Sequence, residues 1–365
     1  MAKLCNFGVI KMKDIVLSEI ERYFQQNWAM GPFVKLDKPV LLPNLDATFE
    51  CPVTGNVIRW EEQNVYNPAA VVRDEKVYLL YRADDTPRPE GWGRTCRIGL
   101  AYSNDGRNFI RIPTPALYPD NDFMKEYEWE GGTEDIHIIE DEAGIYYVNY
   151  TAWTGKTDSM CVATSNDLIH WKKHGPAFQK AYDGRYINGS RTGAVVCRRE
   201  GERLIATRIN GKYWMYYTFN CLIAISDNLI DWTPLLDENG HVVAPIKPRD
   251  GYFDSGAAEA GAIALLTDQG ILVMYNGYNI SPDKGGDPSF LEGWSGLGQV
   301  LLDTKNPVRM LKRMDKPFVH VVYDWEMSGF ISNANVANGL VYFKGEWLLY
   351  YGAADRRIGL AVYKP

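Results

Sequence analysis

Lys76-Val-Tyr-Leu-Leu-Tyr-Arg82 decides the fold, because the same pattern recurs along the chain. It returns as Gly144-Ile-Tyr-Tyr-Val-Asn-Tyr150, Gly211-Lys-Tyr-Trp-Met-Tyr-Tyr217, Gly270-Ile-Leu-Val-Met-Tyr275 and Gly345-Glu-Trp-Leu-Leu-Tyr-Tyr351. A second signature follows three of these runs: Ser103-Asn-Asp105 with Phe109, Ser165-Asn-Asp167 with Trp171, and Ser226-Asp-Asn228 with Trp232. β-Branched and aromatic runs bounded by Gly, Asn and Asp are strand and turn chemistry. A supersecondary unit at a nearly fixed period means a repeat architecture. Five units fill nearly all of the 365 residues. The expectation is an all-β chain folded as a five-bladed β-propeller, a closed form that leaves only short, protected strand edges. It forms a single domain over 1–365, with 1–57 as an N-terminal helix and extended lead-in. The last run, Arg357-Ile-Gly-Leu-Ala-Val-Tyr363, resembles Arg97-Ile-Gly-Leu-Ala-Tyr102, so the fifth unit is complete at the C-terminus and the N-terminal segment is placed to pair beside it.

Composition narrows the function. Apolar residues make up 46% of the chain, ample for a core, and 11 Trp with 23 Tyr give aromatics both for packing between blades and for stacking on sugar rings. The net charge of −7 argues against a nucleic-acid or anionic-membrane partner. No run of 18 apolar residues occurs, so no transmembrane span is expected. The six cysteines contain no CxxC pair, which speaks against a metal site; they read as small buried hydrophobes. No cofactor fingerprint is present. Met1-Ala-Lys-Leu-Cys-Asn-Phe-Gly8 lacks a long apolar core, which reads as cytoplasmic, or periplasmic if a leader was removed.

Between the strands, residues 12–27 carry helical periodicity, with Ile15, Val16, Ile20, Tyr23 and Phe24 on one face. That face either packs on the outside of the propeller or makes an oligomer contact. Segments 84–95, 119–134, 180–192 and 278–297 are long, polar and rich in Gly, Pro or Asp, as functional loops are.

The candidate chemistry is carboxylates beside glycines and aromatics. Glu134-Asp135 follows Gly131-Gly132 and opens the apolar strand Ile136-His-Ile-Ile139, where a carboxylate is costly unless paired or functional. Glu259 lies in Ser255-Gly-Ala-Ala-Glu-Ala-Gly261, whose small neighbours leave room for a ligand or permit tight packing. Glu326 precedes Gly329-Phe330. Asp84 and Asp355 close strands, either as turn formers or as sugar ligands. Asn104-Asp105 and Asn166-Asp167 are turn formers. Paired carboxylates with sugar-stacking aromatics are the usual equipment for glycosidic bond cleavage.

Tyr66-Asn-Pro-Ala-Ala70, Val77-Tyr-Leu-Leu-Tyr-Arg-Ala83, Gly131-Gly-Thr-Glu-Asp135, Ser165-Asn-Asp-Leu-Ile-His-Trp171, Ile209-Asn-Gly-Lys-Tyr213 and Tyr350-Tyr-Gly-Ala-Ala-Asp355 occur in that order. Together they resemble glycoside hydrolase family 130, the β-mannoside phosphorylases and β-1,2-mannosidases, from about residue 60 to the C-terminus. The resemblance implies an inverting mechanism with Asp135 as general acid, its proton passing through a hydroxyl of the mannosyl ring. It implies mannose held by Asn67, Arg82, Asp84 and Asp355. Glu134, His137 and Asn276 are further candidates at motif positions.

The chain departs from the phosphorylases of that family at basic positions. Their Glu-Asp-Pro-Arg is Glu134-Asp135-Ile136-His137 here, their His-Arg pair falls at Tyr216-Tyr217-Thr218, their Lys falls at Ala257, and their Tyr-His-Gly is Tyr275-Asn276-Gly277. A phosphate dianion needs cationic partners, whereas an added carboxylate at Glu259 suits a general base for water; Glu326 is the backup base. The expected activity is therefore inverting hydrolysis of β-mannosidic, β-1,2-type linkages in manno-oligosaccharides. The alternatives are a β-mannoside phosphorylase using His137, Arg191, Arg208 or Lys212, another propeller glycosidase, or a non-catalytic glycan-binding propeller.

Overall fold

The computed structural model describes residues 20–87 and 93–365. Among the described residues the chain is all-β, with a four-residue helix, Lys125–Glu128, and short 3₁₀ turns among the strands. Residues 20–25 are helical and 26–27 form a turn; residues 12–19 of the expected helix, with Ile15 and Val16 of its apolar face, lie outside the described residues, while Ile20 and Tyr23 of that face are buried in the core and Phe24 packs against it.

The five repeats become five antiparallel meanders. The first contains Asn64–Arg73, Lys76–Asp84, Cys96–Ser103 and Ile110–Arg111. The second contains Gly132–Glu140, Tyr146–Trp153, Asp158–Ser165 and Lys172–Pro176. The third runs from Gly193–Glu200 through Lys212–Tyr217 and Leu222–Ser226 to Trp232–Pro234. The fourth holds Ala257–Thr267, Gly270–Tyr278, Ser295–Leu302 and Met310–Arg313. The fifth holds Asn335–Phe343, Glu346–Ala353 and Arg357–Tyr363, and its outer strand is Val34–Lys35 from the N-terminal segment, in register Val34 opposite Val362. The expected pairing of chain start with chain end is thus present.

Each repeated run is the second strand of its meander; four of them are largely buried because they pack between neighbouring sheets, and the third is buried only over Met215–Tyr217. The Ser-x-Asp/Asn signature closes the turn after the third strand. Asp105 Oδ1 accepts from the backbone N–H groups of Arg107 and Asn108 at 2.8 Å each, and Asp167 and Asn228 repeat this. These residues are turn formers, as their sequence implies. The five described cysteines are buried and free.

The first strands of the meanders lie beside one another in a closed cycle: Asn64–Arg73, Gly132–Glu140, Gly193–Glu200, Ala257–Thr267, Asn335–Phe343 and back to Asn64–Arg73. Four of them break register: between Tyr66 and Ala69, Glu134 and Ile136, Ala260 and Ala264, and Ala337 and Gly339. Such bulges bend a strand and re-aim the unpaired side chain, and they concentrate beside active sites. Among the residues left unpaired, Asn67, Asp135 and Asn338 line one pocket. Asn67 reaches it with a φ of +43°, and Gly352 makes room, since a Cβ there would stand 2.5 Å from Asn67 Oδ1.

Candidate active site

The pocket is lined by Asn67, Arg82, Asp135, Arg191, Glu259 and Asp355, with Thr192, Phe219, Tyr278 and Asn338 filling the wall between them. It encloses a cavity of about 160 Å³ within a space of about 580 Å³ that is partly open to solvent.

Two arginines and two carboxylates form its floor. Asp135 accepts from Asn67 Nδ2 at 2.8 Å, Arg82 Nη1 at 3.1 Å and Arg191 Nη1 at 2.9 Å. Glu134 takes Arg82 Nη2 at 2.7 Å and Arg191 Nη2 at 3.4 Å. Asp158 holds Arg191 Nε at 3.3 Å, and Arg82 lies over the Tyr66 ring at 4.8 Å. Burial would push the Asp135 carboxyl up, but Arg82 and then Arg191 overcome it and bring the value down to about 2.

The opposite wall behaves differently. Glu259 has one protein hydrogen bond, from the Tyr278 hydroxyl to Oε2 at 2.9 Å. Burial, then the charge of Asp135, pushes Glu259 up to about 7 against Tyr278 and Arg191. Asp355 sits in the turn after Glu346–Ala353 with a φ of +48°, so it is a turn residue that also faces the pocket. Burial raises it to about 7; Arg82 opposes this, while Asp135, Glu259 and Asp84 add to it. Carboxyls held near 2 and near 7 within one pocket differ in protonation at neutral pH: Asp135 is ionised, while Glu259 and Asp355 are each partly protonated.

Three buried polar atoms of the lining, Asn67 Oδ1, Asn338 Oδ1 and Asp355 Oδ1, have no hydrogen-bond partner in the protein. Buried acceptors are rarely left so. Three around one cavity suit a ligand that brings several hydroxyl donors, as a sugar does.

Five expected site residues are therefore brought together: Asn67, Arg82, Asp135, Glu259 and Asp355. Glu134 supports them from below. The other four are corrected. Asp84 is fully buried behind Tyr66, taken up by Asn64 at 2.8 Å, the Tyr66 hydroxyl at 3.3 Å and Arg94 at 3.1 Å, so it does not face a sugar. His137 lies one layer beneath the pocket, Nε2 at 2.8 Å from the Gly261 carbonyl and Nδ1 at 2.8 Å from the Thr192 hydroxyl. Burial lowers it to about 4, so it is a neutral strut and not a cation. Asn276 ties the fourth meander to the fifth, accepting from Ala337 N at 2.9 Å and donating to the Ala260 carbonyl at 3.3 Å.

Glu326 is the largest correction. It accepts from Val322 N at 2.7 Å, Tyr323 N at 2.9 Å and the Tyr351 hydroxyl at 2.8 Å, and it pairs with Lys35 of the N-terminal strand. Its side chain is fully buried and its lone pairs are committed, so it locks the fifth sheet and is no base. Removing one partner of a buried pair typically costs about 3–5 kcal/mol. Glu326→Gln is expected to lower the melting temperature while kcat, measured well below that temperature, stays near the parent value; a lost kcat in a fully folded variant would return Glu326 to the catalytic list.

Arg191, Thr192, Phe219, Tyr278 and Asn338 complete the pocket and were not among the expected mannose or base contacts. Asn338 has a readable signal: an Asn beside Gly339 inside an apolar strand, a polar interruption like that at Glu134-Asp135.

A family model described as beta-1,4-mannooligosaccharide phosphorylase, of the glycoside hydrolase 130 family, matches residues 47–364. Among curated proteins, a 1,2-beta-oligomannan phosphorylase of Thermoanaerobacter sp. (strain X514) is 28% identical over 335 residues, covering 89% of this chain and 95% of its own. Among solved structures, a glycosyl hydrolase from Bacteroides ovatus is 40% identical with a TM-score of 0.89, covering 93% of this chain and 95% of its own. Another, at 39% identity and a TM-score of 0.89 over the same shares, is described by the statement that "The GH130 family of mannoside phosphorylases contains glycoside hydrolases that target beta-1,2 mannosidic linkages in Candida mannan".

Proposed function

The chain belongs to glycoside hydrolase family 130, and from that premise we propose that it hydrolyses β-1,2-mannosidic linkages of manno-oligosaccharides with inversion. The reading takes the five meanders, whose first strands close a cycle, as one five-bladed propeller with the pocket at one mouth of its axis.

The observation that carries hydrolysis over phosphorolysis is the charge balance of the pocket. Arg82 and Arg191 are already matched by Glu134 beneath the pocket and Asp135 in its lining, and Glu259 and Asp355, each raised to about 7, add further negative charge in their ionised fraction. Both guanidiniums are already paired to Glu134 and Asp135. A phosphate dianion entering there meets net negative charge and arginines that are already engaged. Of the other basic groups considered, His137 is neutral. Lys212 sits at 2.6 Å from Asp227, and Arg208 Nη2 binds the Asp227 carbonyl at 2.6 Å; neither lines the pocket. The relatedness to a structure described with hydrolysis of β-1,2 mannosidic linkages supports the same side.

In this mechanism Asn67, Arg82, Asn338 and Asp355 hold the terminal mannose. Glu259 Oε1 takes a proton from water as the water oxygen bonds to the anomeric carbon. The bond from that carbon to the leaving oxygen breaks, and the leaving oxygen gains a proton originating on Asp135, directly or through a ring hydroxyl. Asp135 is ionised at rest, so it must first take that proton from solvent. A sugar hydroxyl entering between it and Arg191 loosens the contact that holds the proton off. In inverting enzymes the two carboxyl groups stand roughly 6.5–9.5 Å apart, leaving room for the water.

The test is incubation with β-1,2- and β-1,4-mannobiose, with and without phosphate, followed by NMR of the first product. α-Mannose at a rate independent of phosphate is expected. Initial β-mannose would refute inversion. Accumulation of mannose 1-phosphate with strict phosphate dependence would establish the phosphorylase, the runner-up favoured by the curated relatives.

A further inference from the structure

Glu259 and Tyr278 stand on neighbouring strands of the fourth meander. Glu259 lies opposite Asn276 in the register, and Tyr278 is two residues further along the same face. Diagonal neighbours of this kind reach one another when one of them is long or aromatic. The hydroxyl of Tyr278 donates to Glu259 Oε2 at 2.9 Å, and both residues line the pocket. No other protein donor reaches this carboxylate among the described residues. Asp135, by contrast, has three donors.

Resting on the hydrolase reading above, we propose that Tyr278 is the positioning residue of the base: it fixes Glu259 Oε2 and leaves Oε1 turned to the pocket as the proton acceptor. A lone hydrogen bond at one oxygen sets the plane of the carboxylate, since Glu259 has no second anchor against rotation. The same bond favours the ionised carboxylate. It acts against burial and against the charge of Asp135, which both favour the protonated acid. The other charged and titratable groups facing Glu259 are Arg191 before the third meander, Asp355 in the turn of the fifth, and the Cys221 thiol. Phe219, bridged to Glu259 across the strands, adds an apolar neighbour without a donor.

A base works as its carboxylate, so kcat/KM rises with pH through the Glu259 titration. Removing the donor destabilises the carboxylate and moves that titration upward. A hydrogen bond to a charged group is worth about one pK unit or somewhat more. In Tyr278→Phe the acidic limb of the kcat/KM profile is therefore expected about one pH unit higher. The loss is roughly tenfold on the limb and much smaller on the alkaline side, where Glu259 is ionised in both proteins.

The experiment measures pH profiles of the parent enzyme and of Tyr278→Phe on β-1,2-mannobiose. Difference infrared spectra on the same samples follow the protonated carboxyl band that Glu259→Gln removes. An upward shift of both the limb and the band supports the assignment. An acidic limb and a band that stay at their parental pH overturn it, whether or not the rate falls, because a loss of packing alone lowers activity evenly across pH. The infrared titration needs no turnover, so it judges the Tyr278 contact by itself. A parent enzyme that requires phosphate refutes the hydrolase reading separately.

Discussion

Asp135→Asn is expected to fold as the parent does and to lose turnover of β-1,2-mannobiose by roughly 10²–10⁴-fold, the usual contribution of an acid catalyst. The fold should survive because Glu134 remains to pair with both Arg82 and Arg191, and an amide oxygen can still accept from Asn67. The catalytic loss follows from the proton. The pair of arginines that keeps Asp135 ionised near pH 7 also makes it the group most sensitive to a substrate hydroxyl displacing one of them. An amide at this position cannot pass a proton to the leaving oxygen. A substrate whose leaving group needs no proton separates this role from mere binding. On β-mannosyl fluoride the variant is expected to fall far less than on the disaccharide. An equal fall on both substrates would make Asp135 a sugar ligand and leave the acid elsewhere. A normal rate with a normal melting curve would remove it from the site.

What could be read from the sequence depended on how local each signal was. The strand runs are local, because a buried second strand needs β-branched and aromatic residues whatever its neighbours do. All five therefore surface, and the resemblance of the last strand to Arg97–Tyr102 also points to the N-terminal segment pairing beside it, a pairing that Val34–Lys35 makes. Glu134-Asp135 at the head of an apolar strand is legible for the same reason, since a buried carboxylate demands an explanation; Asn67 comes only from the family resemblance. Asn338 carries the same mark and was passed over. The bulges themselves were invisible, since period-2 alternation does not encode an extra residue. Glu326, Asp84 and Asn276 were misread because their partners come from elsewhere. Lys35 belongs to the other end of the chain, Arg94 to a loop and Ala337 to the next meander. A carboxylate in a Gly-rich loop looks the same in sequence whether it meets a ligand or a buried lysine.

Glu259→Gln is the second large effect, and it bears on the reaction class. The substitution keeps the side-chain volume and an oxygen for Tyr278 to bind, but it removes the proton acceptor. Hydrolysis is expected to fall by roughly 10²–10⁴-fold at neutral pH. The acidic limb near pH 7 should vanish from whatever activity remains, because the group that produces it is gone. Asp135 should hold its proton still less readily once the neighbouring carboxylate no longer repels it. Stability should not suffer, since the variant no longer buries a charge held by a single hydrogen bond. A phosphorylase would respond differently, for phosphate arrives as its own nucleophile and needs no base. Removing a negative charge from that wall would then hold or raise the phosphate-dependent rate. A variant that loses phosphate-independent turnover and gains none with phosphate identifies Glu259 as the base for water. If turnover stays phosphate-independent and undiminished, the reaction class stands and the base passes to Asp355, the other carboxyl of the pocket raised to about 7.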